Sequence, residues 1–97
     1  MASLALLAAC AHEGPPPANP PTDRQLRELV ELRLSIDHRL CPYALRVVTY
    51  DGTVELSGLV EAPVERERAA AIARKAGARR VVDHLQISLS SGDPGRC

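Results

Sequence analysis

The sequence contains no phenylalanine, no tryptophan and only two tyrosines in 97 residues. Any core it forms must be aliphatic, assembled from Leu, Val, Ile and Ala. It also lacks a charge excess, with twelve Lys and Arg against twelve Asp and Glu. Nucleic-acid binding depends on neutralising phosphates with surplus cations, so no nucleic-acid partner is expected. The same balance removes a strong long-range pull toward anionic bilayers, and headgroup contact would have to come from a local cluster. The N-terminal apolar run is far shorter than the roughly 20 residues a membrane-spanning helix needs. A chain of this length makes one small domain with a limited core, modest in stability or helped by a cross-link.

Catalytic groupings are equally scarce. The few serines have no Ser-His-Asp arrangement around them, and no enzyme activity is expected. His38 and Cys41 have ligand-like spacing, but a third ligand is not evident, and His84 is expected on a different face. No metal and no cofactor are therefore expected.

What is present begins with a processing signature. Residues 1–9 read MASLALLAA, an uncharged apolar run that fits the hydrophobic part and cleavage region of an export signal. Leu7-Ala8-Ala9-Cys10 resembles a lipobox, in which the Cys10 thiol is acylated and becomes the first residue of the mature chain. The basic segment that opens such signals is missing, so a true start upstream of Met1 is expected. Ala11 after the cysteine, rather than Asp, implies by the same resemblance the periplasmic face of the outer membrane. The other reading is a frayed apolar N-terminus on a cytosolic protein, with Cys10 incidental. Residues 11–21, AHEGPPPANPP, hold five prolines and one glycine. They favour an extended tether of about 3.1 Å per residue. The expected organisation is a signal peptide at 1–9, lipidated Cys10 and tether at 10–21, a folded domain at 22–89, and a flexible turn-like tail at 90–97.

The domain reads as helix, strand, strand, helix, strand. Thr22 and Gln25 form a capping-box pattern, which opens a helix over about 23–39 that Pro42 stops. Leu26, Val30 and Leu34 line one face, with Leu29, Leu32, Ile36 and Leu40 as a second stripe beside it. A strand follows over 44–50, with Leu45, Val47 and Thr49 on one side. Asp51-Gly52 is a hairpin signal leading to a strand over 53–60, with Val54, Leu56 and Val60 inward. Gly58 lies at an inward position that leaves room for a helix to approach. Pro63 opens a second helix, which has an Ala69, Ile72, Ala73, Ala76 face and Gly77 as its C-terminal cap. The last strand spans 81–89, with Val81, Leu85, Ile87 and Leu89 inward. These elements predict an α+β, two-layer αββαβ fold. Its three-stranded mixed sheet carries both helices on one face and a right-handed crossover.

This block resembles the BON domain over about residues 22–89. The matching pattern is Leu26-x3-Val30-x3-Leu34, Leu45-x-Val47, the hairpin Asp51-Gly52-x-Val54-x-Leu56-Ser57-Gly58-x-Val60, Arg68 to Ala73, Gly77 to Val81, and Asp83-x-Leu85-x-Ile87. The hairpin is the specific part. The resemblance implies a non-catalytic module that binds phospholipid or an envelope partner, in a bacterial cell-envelope protein contributing to envelope integrity. This chain has a single copy, and its first helix lacks an aromatic of the kind useful at a membrane interface.

Three surfaces are candidates for contact with anionic phospholipid or a protein. The first is the surplus apolar stripe Leu29, Leu32 and Ile36, with Arg33 and Arg39 on the same helix. Its plainer reading is a cap on the underside of a small core. The second is the basic cluster Arg74, Lys75, Arg79 and Arg80 around Gly77, which is otherwise a solvated helix end. The third is the helix-free sheet face with Val48, Tyr50, Leu59 and Val82, suited to a scaffolding role or a second copy. Oligomeric state stays open. Cys41 and Cys97 suggest one internal disulfide in an oxidising compartment, with two free thiols or an intermolecular bridge as alternatives.

Overall fold

The computed structural model describes residues 20–97. The signal-like run 1–9, Cys10 and the tether as far as residue 19 lie outside the described residues.

Helix α1 (Asp23–Ile36) begins where Thr22 Oγ1 accepts the Gln25 N–H at 3.1 Å and Gln25 Oε1 accepts the Thr22 N–H at 3.0 Å. Its buried line is Leu26, Val30 and Leu34. The helix ends well short of Pro42. Asp37 turns extended, at φ −77° and ψ 123°, and its carboxylate accepts the Arg39 N–H at 3.0 Å. A short acidic side chain competes in this way with the helical hydrogen bonds, so Asp37 and not the proline stops α1. Leu40 is still buried, but it reaches the core from the turn at 37–43 and not from a helical stripe.

Strand β1 (Arg46–Tyr50) starts two residues later than expected. It pairs antiparallel with β2 (Thr53–Val60), and Tyr50 lies opposite Thr53. Asp51 and Gly52 between them both have positive φ, at 50° and 78°, the two-residue hairpin geometry whose twist matches the strands. After β2, α2 (Pro63–Ala76) crosses over and β3 (Arg80–Ile87) returns parallel to β2, giving the order β1-β2-β3. Val47, Val54, Leu56, Val60 and Leu85 pack from the sheet against Leu26, Val30, Leu34, Ala69 and Ala73 from the helices. The fold is α+β with both helices on one sheet face.

Three inward assignments are corrected. An added Cβ at Gly58 (φ +136°) would lie 3.0 Å from the Ala44 carbonyl and 3.0 Å from Leu45 Cδ2. The glycine therefore admits the chain entering β1, not a helix. Ile87 is 41% and Leu89 84% exposed, because they sit at and past the end of β3, beyond the cover of the helices. Asp83 shares the helix side with Leu85 and pairs with Arg66 of α2 at 3.5 Å.

Residues 90–97, expected to be loose, fold back on the turn after α1. The Asp93 N–H donates to the Pro42 carbonyl at 2.9 Å, and Pro94–Arg96 form one 3-10 turn. Cys97 and Cys41 lie at disulfide distance, with Cα atoms 5.6 Å apart across a sequence separation of 56.

Candidate functional site

One end of the domain is assembled from three separate stretches of chain. The Asp23 carboxylate, in the first turn of α1, accepts the N–H groups of Asp51 at 2.8 Å and Gly52 at 3.0 Å. Thr49 Oγ1 donates to the Asp23 carbonyl at 2.7 Å. Arg79 closes the third side: its N–H donates to the Gly52 carbonyl at 2.8 Å, and its guanidinium to the Asp51 carbonyl at 3.0 Å. Gly77, the α2 cap at φ +122°, lies against Pro21, where the chain enters α1. The hairpin tip, the α2 C-terminus and the α1 N-terminus thus share one pole.

This pole gathers the basic cluster. Arg74 and Lys75 occupy the last turn of α2, Arg79 bridges to the hairpin, and Arg80 lies opposite Thr53. All four are exposed. Four carboxylates of the described residues pair with arginines elsewhere, in Arg24–Glu28, Arg27–Glu31, Arg66–Asp83 and Arg68–Asp37. None of the four cluster cations has a carboxylate partner among the described residues. Their side chains are exposed; of the two local anions, the Asp23 carboxylate is held by the hairpin amides, and the exposed Asp51 adds one negative charge beside the cluster.

The first-helix candidates are not part of this cluster. Leu29 packs against the core, but Leu32 and Ile36 are 55% and 70% exposed, so they do not cap it. At about 100° per residue they fall on a flank turned away from the Leu26–Val30–Leu34 line. Arg33, also exposed, lies between that flank and the buried line. Arg39 lies in the turn beyond α1, beside a shallow hollow lined by Val64, Glu67, Arg68 and Ala71. The helix-free sheet face carries Val48, Tyr50 and Leu59, all partly exposed, with Val82 half-buried among them. There the Tyr50 hydroxyl donates to Glu55 at 2.6 Å, which holds its phenol above the usual range. His84 pairs in register with Ser57 on this face. Among the described residues no three His, Cys, Asp or Glu gather as a metal site would require, and no helix is long and apolar enough to cross a membrane.

The opposite pole is held by contacts that sequence reasoning missed. Tyr43 is buried, and its hydroxyl donates to Glu65 Oε1 at 2.7 Å. Burial and the neighbouring carboxylate push the Tyr43 phenol up to about 12. Glu65 Oε1 also accepts the N–H groups of Glu61 and Ala62, each at 3.1 Å, and so caps α2. A glutamate in the first turn after Pro63 is a visible capping signal, but its tyrosine partner lies 22 residues away. Asp37, 11% exposed, receives the Arg68 guanidinium on both oxygens, at 2.8 and 2.9 Å. That contact holds its carboxyl below the ordinary value. Between α1 and β1, a cleft of about 380 Å³ is floored by Leu34, Tyr43, Leu45 and Val47 and rimmed by Glu31 and Arg96.

The family profile of the BON domain matches residues 22–88. The chain belongs to the BON domain family. No curated protein matches it. BON domains are a non-catalytic binding family, associated with membrane or phospholipid binding or with protein interaction, and typical of the bacterial envelope. The matched span of this BON domain begins at Thr22, the N-cap of α1, and closes one residue past β3.

Proposed function

We propose that this BON domain protein is a non-enzymatic envelope lipoprotein, anchored through Cys10 at the periplasmic face of the outer membrane, which binds anionic phospholipid surfaces and so contributes to envelope integrity. The observation that carries the reading is the gathering of Arg74, Lys75, Arg79 and Arg80 at one end, none with a carboxylate partner among the described residues. Net charge is zero, so the attraction is local and short-ranged, falling off within a Debye length. Weak headgroup attraction is sufficient for a domain already held at the bilayer by acyl chains.

Flotation of the chain without Cys10 tests the binding. It rises with vesicles rich in phosphatidylglycerol and not with pure phosphatidylcholine, and the difference shrinks as salt is raised. Equal behaviour toward both vesicles rejects headgroup recognition. Mass spectrometry of the membrane-fraction protein reads acylation at Cys10 directly.

The exposed Leu32 and Ile36, with the open sheet face, favour a second reading in which the domain docks onto another envelope protein. Replacing Val48 and Leu59 by Asp then abolishes partner capture while the domain stays folded.

A further inference from the structure

We propose that the tether and the cationic cluster act on the same bilayer, so that the domain stands with the pole formed by the α1 N-terminus, the Asp51–Gly52 turn and the α2 C-terminus facing the membrane. The inference rests on the proposed lipid anchor at Cys10 and specifies which surface that anchor brings down. The alternative surface, the apolar flank of α1, is turned sideways by this orientation.

The first argument is topological. The chain enters α1 at the pole where Gly77 lies against Pro21. Ten residues, 11–20, lie between the lipidated Cys10 and Pro21, eleven steps along the chain. At the polyproline rise of about 3.1 Å per residue such a spacer reaches about 34 Å. With α1 at 14 residues and about 1.5 Å rise per residue, the helix spans about 21 Å, shorter than the tether. The near pole is therefore always within a tether length of the headgroups, and the far pole comes as close only if the domain lies on its side or turns over on the tether.

The second argument is electrostatic and independent of the anchor. The four cations of the cluster lie at this end of the domain, Arg74 and Lys75 on the α2 C-terminus, Arg79 against the hairpin and Arg80 on the helix-free side near Tyr50. An anionic bilayer is the partner their geometry fits, being a flat field of phosphates that needs no matching pocket, and neither the cleft nor the hollow described above is lined by these residues. Tyr50, 45% exposed and adjacent to the turn, supplies the amphipathic aromatic that α1 lacks. At the opposite end, the Asp37–Arg68 pair closes one arginine on a carboxylate, and the cleft beside Cys41 is rimmed by Glu31 as well as Arg96. The charge asymmetry points the same pole down as the tether does. The clefted pole with Cys41 and Cys97 faces away from the bilayer, toward the periplasm.

The test uses the full acylated chain in vesicles of phosphatidylglycerol and phosphatidylethanolamine, with an environment-sensitive dye on Thr53→Cys at the near pole or Ser90→Cys at the far one. A quencher is carried on the lipid headgroup. Strong quenching at position 53 with little at 90 is the expected result. Adding Arg74→Glu and Lys75→Glu, whose side chains make no polar contact to other described residues, reduces the quenching at 53 severalfold while the protein stays anchored. Quenching that is stronger at 90, equal at both, or unchanged by charge reversal overturns the orientation. Failure of the underlying reading shows differently: the protein from the membrane fraction carries no acyl mass on Cys10, or the unacylated chain ignores anionic vesicles.

Discussion

The two ends of the domain are closed by different means. At the pole where the chain enters α1, closure is by backbone amides converging on one carboxylate, Asp23, and by an arginine reaching a carbonyl across the hairpin. At the other pole a cysteine pair at disulfide distance sets the C-terminal turn against the turn after α1, with Tyr43–Glu65 and Asp37–Arg68 as polar links from that turn to α2. The first kind of closure leaves cations facing outward and ready for a partner. The second places Arg68 on the Asp37 carboxylate and the Tyr43 hydroxyl on Glu65, while Arg39 and Arg96 stay exposed. An aliphatic core with no Phe or Trp is thin, so both closures matter to stability.

The largest effect should come from the cysteine clasp. A disulfide across a separation of 56 residues contributes roughly 2–4 kcal/mol, mainly by restricting the unfolded chain. Denaturation of Cys97→Ser against the oxidised parent should show a midpoint drop of that size, and adding a dithiol to the parent should reproduce it. A parent indifferent to reductant would mean that the far pole is held by its hydrogen bonds alone. Next is Asp23→Ala, which strands two amides of the hairpin tip and should cost about 1.5–3 kcal/mol in urea unfolding. The loss should appear first as faster amide exchange at Asp51 and Gly52. If exchange there is unaltered, Arg79 and not Asp23 organises the near pole.

The contrast between the poles also explains what was legible in the sequence. Local devices were readable: the Thr22–Gln25 box, the Asp51–Gly52 turn, Pro63 at the start of α2 and Gly77 at its end. Each depends on residues a few positions apart, and those positions fix the near pole. The basic cluster was equally visible, since Arg74 to Arg80 are neighbours in the chain. Its nearness to the N-terminal entry was not visible, because it follows from α2 running antiparallel to the hairpin strand before it. The far pole was largely hidden. Asp37 ends α1 because Arg68, 31 residues on, and the Arg39 amide claim its carboxylate. A helix-friendly pattern through Leu40 gave no sign of that competition. The apolar flank Leu32 and Ile36 was recognised as surplus, but whether it covered the core depended on the rotation of α1 over the sheet.

A smaller effect separates the two poles by pH. Arg68 holds the folded-state pKa of Asp37 below the ordinary carboxylate value of 3.8. The pair therefore stabilises the fold above that value and is lost as pH falls through the lower, folded one. Asp37→Asn should flatten the acid limb of the stability curve below about pH 4 and cost about 1 kcal/mol at neutral pH, since Arg68 is largely solvated. An acid limb identical in parent and variant would show that the pair forms without contributing.

The last effect lies at the alkaline end and belongs to Tyr43. Its phenol is raised from the ordinary 10.0 to about 12 by burial and by Glu65. The folded state thus keeps a proton that the unfolded chain gives up above pH 10. Stability from this group is complete below the unfolded value and declines as pH rises from about 10 through about 12. Tyr43→Phe removes the titration but leaves Glu65 bonded to the Glu61 and Ala62 amides. It should therefore cost only about 1 kcal/mol at neutral pH, the net worth of one hydrogen bond. Its stability should also change less between pH 10 and 12 than that of the parent. Tyr50 is exposed on the open sheet face, so Tyr50→Phe should leave the alkaline limb nearly as it was. If instead Tyr50→Phe flattens the limb and Tyr43→Phe does not, the Tyr43–Glu65 link is not what couples the far end of α2 to the turn after α1.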